Sequence, residues 1–245
     1  MPGYANPQNL NRYSYVTNNP LRYTDPTGHK VCDVEDGGGS CVDLGIVDSM
    51  PEVNKALKAY GVKLKGKWKY KYARAVLDGV EAVANAFNRT TPVESFTAVF
   101  GHIDFRWEGS PGMCGNIPAG GGGCTDGAHQ IRFWSMSGHR LNDINRMIKN
   151  VVHELGHAFD WTHYDPVSKT RASNHMSGAF TRNTVLRPNQ YAGRPDWQQS
   201  TDNTSSEIFA DMFVAWTFNA WNTDTAIENV LAVNSAQTWM NGLVP

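Results

Sequence analysis

Apolar residues recur along this chain with two periods, and the change from one to the other marks out its elements. From Tyr70 to Phe87, the residues Ala73, Val76, Leu77, Val80, Val83, Ala84 and Phe87 form one stripe at helical spacing, which predicts an amphipathic helix. From Leu141 to Trp161, a second stripe runs through Leu141, Ile144, Ile148, Val151, Val152, Leu155 and Phe159, with Asn142 placed as N-cap. Ser206 to Trp221 carries Ile208, Phe209, Met212, Phe213 and Trp216, and weaker helical patterns cover Glu52 to Tyr60 and residues 225–241. Between these the period drops to two. Ile103, Phe105 and Trp107 alternate with Asp104 and Arg106, and Phe96 to Phe100 and residues 128–134 read as further strands. Residues 29–50, the run GNIPAGGGG and residues 162–204 lack a period and read as loops. A loop as long as the last usually shapes a functional surface. Together these elements predict an α+β domain over residues 29–245: a small mixed sheet packed on the 141–161 helix, with a helical C-terminal part.

Composition narrows the function classes. The 245 residues carry 22 basic and 23 acidic side chains, a formal net charge of -1. So balanced a composition does not point to a polyanion-binding surface, and nucleic acid is not the first partner expected. No apolar run approaches the ~20 residues of a membrane-spanning helix. The N-terminus MPGYANPQNL lacks the charged and apolar regions of a Sec signal peptide. The four cysteines form two close pairs, Cys32/Cys41 and Cys114/Cys124, neither with the C-x-x-C spacing of a structural zinc site. Two short-loop disulfides are the preferred reading, with reduced thiols as the alternative.

The chemistry concentrates in VVHELGHAFDWTH, Val151 to His163. Positions i and i+4 of a helix share one face at about 5–6 Å between Cβ atoms. His153 and His157 can therefore grip one cation, with Glu154 beside them as a base for the activated water. This is the mechanical content of H-E-x-x-H and implies one Zn²⁺ per chain. Two candidates exist for the third ligand. His163 lies on the same segment and needs the chain to leave the helix sharply after Phe159. Glu207 lies in SSEIFADMF with Asp211 at i+4, so both face one way. Glu207 can ligate while Asp211 accepts the free N–H of a ligating histidine. Glu207 is preferred, although Thr204-x-x-Glu207 also fits a capping box. Asp160 is placed either bracing the site or capping the helix end.

His153, Glu154, Gly156, His157, Ala158 and Asp160, followed by Glu207, Phe209, Ala210, Asp211 and Phe213, resemble the gluzincin metallopeptidases, and within them the anthrax lethal factor group. The resemblance implies a zincin-like fold and a zinc endopeptidase acting on a protein or peptide substrate. It also implies a substrate-aligning edge strand, for which residues 128–134 are the candidate. The oxyanion donor it implies is a tyrosine before the third-ligand helix; Ser200 stands near that place, leaving Tyr191 and His175 as candidates. With His163 as ligand, the chain would instead be similar to the metzincins. That clan carries Gly where Asp160 stands, and a methionine turn for which Met176 is the candidate. A zincin-shaped binding domain without proteolysis is the non-enzymatic alternative.

Residues 1–28 differ from the rest, with Asn11, Tyr13, Tyr15, Asn18, Asn19, Pro20 and the Asp-Pro-x-Gly of Asp25, Pro26 and Gly28. They resemble the end of the Rhs-repeat-associated core of polymorphic toxins. The resemblance implies a junction near Gly28–His29 and a C-terminal toxin domain held in an Rhs shell before release. It further implies delivery of a secreted effector into a target cell by a specialised system, and a cognate immunity protein in the producer.

Overall fold

The computed structural model describes residues 23–24, 30–33, 42–43, 47–87, 91–108, 113–114, 117–118, 122–134, 144–186 and 204–244. The chain forms two compact units, Met1–Glu52 and Val53–Pro245. In the first, β1 (Tyr23–Thr24), β2 (Lys30–Asp33) and β3 (Val42–Asp43) make an antiparallel sheet in that order, where residues 29–50 read as loop in sequence. The junction expected at Gly28–His29 lies outside the described residues, as does Cys41 of the expected Cys32/Cys41 pair.

The second unit is α+β. Helix α1 (Met50–Ala59), most of which belongs to it, leads through Gly61, in a left-handed turn, into β4 (Val62–Gly66), a strand without a clear sequence signal. Helix α2 occupies Tyr70–Phe87 as expected, and the whole predicted stripe is buried. Helix α3 (Pro92–Phe100) corrects the strand expected at Phe96–Phe100. Thr91 caps it in a reciprocal box with Glu94, and Pro92 starts it. That local chemistry prevails over the β propensity of its Phe and Val residues.

The chain then enters β5 (Ile103–Glu108), a short hairpin of β6 (Met113–Cys114) and β7 (Ile117–Pro118), β8 (Gly123–Thr125) and β9 (Gln130–Trp134). The run GNIPAGGGG, expected as loop, thus contains β7 and the start of β8. The main sheet has the order β4-β5-β9-β8, with β4, β5 and β9 parallel and β8 antiparallel to β9. This corrects the edge-strand assignment: residues 130–134 are interior, and the edge on that side is Gly123–Thr125. A disulfide joins Cys114 to Cys124 and ties the hairpin to this edge.

One face of the sheet is apolar. Ile103, Phe105, Ile131 and Phe133 are each 0% exposed. Helix α4 (Ile144–Thr162) lies close to β8 and packs between α2 and α6 (Ser205–Thr217). Asn142, its expected N-cap, lies outside the described residues. Phe87 from α2, Phe100 from α3, Phe159 from α4 and Phe213 from α6 interlock with ring centroids 5.1–6.4 Å apart. Burying such a ring contributes roughly 1.5–3 kcal/mol, so this cluster is what fixes α4 against α6.

The segment 162–204 holds a 3₁₀ turn at Ala172–His175 and a one-turn helix, α5 (Arg182–Val185); residues 187–203 lie outside the described residues. Helix α6 ends at Thr217, short of Trp221, because Asn219 takes a left-handed conformation. Helix α7 (Ile227–Leu243) closes the unit. Among the described residues no helix is long and apolar enough to cross a membrane.

Candidate metal centre

The site forms where α4 and α6 approach most closely. A Cβ added at Gly156 would stand 2.9 Å from Cβ of Phe213 and 3.0 Å from Cα of Ala210. Only glycine at this point of α4 lets α6 come near enough for a carboxylate on its first turn to reach the α4 histidines. Glu207 makes that reach. Its Oε2 lies 3.2 Å from Nε2 of His153 and its Oε1 lies 3.3 Å from Nε2 of His157. The ligand atoms of His153, His157 and Glu207 all lie within 4.8 Å of one another.

Both imidazoles are fixed from behind. Nδ1 of His153 lies 2.9 Å from Oδ1 of Asp211, which is fully buried, and Arg182 Nε donates to Oδ2 of the same carboxylate at 2.7 Å. Nδ1 of His157 lies 3.2 Å from Oγ of Ser206. In each ring Nε2 is therefore the nitrogen turned to Glu207, and Nδ1 is held by a partner that sets the ring's orientation. Two imidazole nitrogens and one carboxylate, nearly buried and oriented, form a donor set suited to a divalent metal such as zinc. Thr204 stands at the N-cap of α6 with no side-chain cap hydrogen bond. Glu207 turns to the histidines and does not close the capping box.

The remaining candidates lie elsewhere. His163 stands just beyond the end of α4, with Nδ1 3.0 Å from the carbonyl of Phe159 and Nε2 3.0 Å from the carbonyl of Leu243. The helix runs on through Thr162, so the sharp exit needed to bring His163 to the other histidines is not made. Asp160 is fully buried and accepts from the backbone N–H and the hydroxyl of Ser173 at 2.8 and 2.7 Å. It braces the segment after α4 and does not enter the His–His–Glu group. His175 is exposed, with Nε2 3.1 Å from Oγ1 of Thr170. Met176 follows that 3₁₀ turn. Tyr191 lies outside the described residues.

Glu154 is buried, and its Oε2 accepts from Thr125 Oγ1 on β8 at 2.6 Å. Thr125, Ser206 and Arg182 are the site residues that the sequence pattern passes over. Ser206 had a usable signal, since it precedes the candidate ligand on the same turn. Arg182 and Thr125 had none, because their contacts join segments 29 positions apart.

Without a metal, the carboxylates reshape the protonation of this site. Burial alone would push the His153 imidazolium down, but the Asp211 and Glu207 carboxylates outweigh it and raise the pKa from 6.5 to about 10. Burial would push Glu207 up, but hydrogen bonds from His153 and His157 hold it well below its ordinary 4.5. The His153 contribution to stability is present below pH 6.5 and is lost as pH climbs through about 10. The Glu207 contribution is present above pH 4.5 and is lost as pH falls further. These two groups therefore favour the metal-free fold most between pH 4.5 and 6.5. A metal must also expel the His153 proton. Zinc binding at pH 7 is expected to release about one proton per ion from this histidine. Titration calorimetry in buffers of different ionisation enthalpy measures it, and an enthalpy independent of buffer would show that His153 is already neutral. No family model, curated protein or solved structure matches the chain, so its chemistry is read from these side chains.

Proposed function

We propose that the second unit is a zincin-like, zinc-dependent endopeptidase. The observation that carries this reading is the convergence of His153, His157 and Glu207 beside a buried Glu154. Its fold supports the same reading: a mixed sheet with an antiparallel edge strand lies against the helix that bears both histidines.

His153, His157 and Glu207 would hold the zinc, and Asp211 and Ser206 would keep the two rings aimed. When bound, zinc supplies a Lewis acid with an open position and lowers the pKa of water there toward ~7. Glu154 would take a proton from water as its oxygen bonds to the peptide carbonyl carbon, and would return it to the amine released when the C–N bond breaks. Among the described residues strand β8 is the edge of its sheet, and we assign it the pairing with an extended peptide. This role passes to Gly123–Thr125 from residues 130–134, whose backbone is already paired on both sides.

We propose further that this peptidase is the toxin of an Rhs-type effector, blocked in its producer by an immunity protein. That part rests on the residues from Asn11 to Gly28. Incubating the zinc-loaded protein with casein tests the enzymatic reading. Cleavage is expected, with loss on addition of 1,10-phenanthroline and return on restoring zinc. A zinc-loaded protein that leaves casein and a proteome-derived peptide library intact would defeat it. Comparing new protein N-termini in cells given active or Glu154-substituted protein would identify the substrate class.

A further inference from the structure

The general base is held by β8. Glu154 is 5% exposed, and both of its carboxylate oxygens meet that strand. Thr125 Oγ1 lies 2.6 Å from Oε2 and 2.9 Å from the backbone carbonyl of Glu154. Two residues earlier, Gly123 leaves room for the other oxygen: a Cβ built there would stand 2.5 Å from Oε1 and 2.9 Å from Cδ and Cγ. Side chains alternate along a strand, so positions 123 and 125 share the face toward α4. Cys124 between them turns to the opposite face, where it is 2% exposed and joined to Cys114. One carboxylate oxygen is thus gripped by a hydroxyl, the other rests against bare backbone, and the strand supplying both is anchored from behind.

We propose that Thr125 is a positioning residue for Glu154, and that Gly123 provides the clearance this position requires. The proposal rests on the peptidase reading for its catalytic consequence but not for the contact itself. A glutamate on a helix has several rotamers open to it. A charge-assisted hydroxyl contact selects one of them. Because β8 is also the sheet edge among the described residues, one strand aims the base and, on the peptidase reading, would offer the backbone along which the scissile bond lies.

Thr125→Val keeps the β-branched shape of the strand residue and removes the hydroxyl. It is expected to lower kcat about 10–100-fold, the scale of a misplaced reacting group, with KM and zinc per chain unchanged. Thr125→Ser keeps the hydroxyl and is expected to restore most of the rate. In the metal-free protein, Thr125→Val is expected to lower Tm by several degrees, and by less in a Glu154→Ala background, where the hydroxyl keeps only the backbone carbonyl of residue 154 as partner. A wild-type kcat in Thr125→Val, a Thr125→Ser protein as slow as Thr125→Val, or equal Tm losses in both backgrounds would each overturn the proposal. If the zinc-loaded wild type cleaves no peptide, the peptidase reading falls, and the metal-free Tm cycle alone decides whether Thr125 holds Glu154.

Discussion

Glu154→Gln is expected to retain one zinc per chain while kcat for peptide cleavage falls about 10²–10⁴-fold, the usual contribution of a positioned general base. The substitution isolates the proton. Glutamine has the length of glutamate and can accept from Thr125 through its amide oxygen, so the contact at 2.6 Å has a replacement. Neither Glu154 oxygen belongs to the group formed by His153, His157 and Glu207. What disappears is the capacity to take a proton from water and hand it on. Zinc by plasma emission and cleavage of casein, measured on the same preparation, give the two readouts. Lost zinc would place Glu154 in the metal shell. Full activity with zinc retained would remove the peptidase mechanism altogether. A wild type that binds zinc yet is as inert as this variant would favour the non-enzymatic binding domain.

What could be read along the chain and what could not divides by the distance over which the causes act. Helix α2 declares itself because it buries one continuous stripe, and local period alone records it; in α4 the stripe is buried from Val151 to Phe159, whereas Ile144 is exposed and Ile148 half-buried. The His–Glu–His spacing and the Glu207/Asp211 pair are legible for the same reason, since i and i+4 share a helix face wherever the helix lies. Helix α3 has the composition of a strand, yet it carries a helix-start signal. Thr91-Pro92-x-Glu94 is a capping box with proline at the first position, and it outranks the Phe and Val residues that resemble a strand.

Strand β8 could not be read at all. A Gly-Gly-Gly-Cys run has the composition of a loop, and it pairs only because β9 lies alongside. A Cβ at position 123 would displace the Glu154 side chain from its present place, a constraint invisible until the two meet. The Arg182–Asp211–His153 chain is legible only in part. Asp211 follows from helical spacing, whereas Arg182 arrives from a one-turn helix in a segment without period.

Glu207→Ala is expected to weaken zinc binding by more than about 100-fold, exceeding the 10–100-fold typical of removing a supporting partner of a ligand. His163→Ala is expected to keep one zinc per chain. Glu207 faces both Nε2 atoms, and its removal would leave a buried pair of imidazoles with no anionic ligand. It also removes the carboxylate that helps hold the His153 proton, so the metal-free variant should be less stable than its parent near pH 7. His163 meets the carbonyls of Phe159 and Leu243, the Thr162 hydroxyl and the Phe159 ring, and none of the His–His–Glu group. Replacing it loosens the end of α4 against the end of α7, an effect on Tm without a counterpart in metal content. Competition against a chromophoric chelator gives both zinc affinities, and thermal unfolding of the metal-free proteins gives the stabilities. The opposite pattern, zinc retained without Glu207 and lost without His163, would transfer the site to a three-histidine centre and require α4 to end before Thr162 in the metal-bound protein. Loss in both would mean that the α4–α7 contact supports the site at a distance, and Asp211→Asn would then show which residue holds His153.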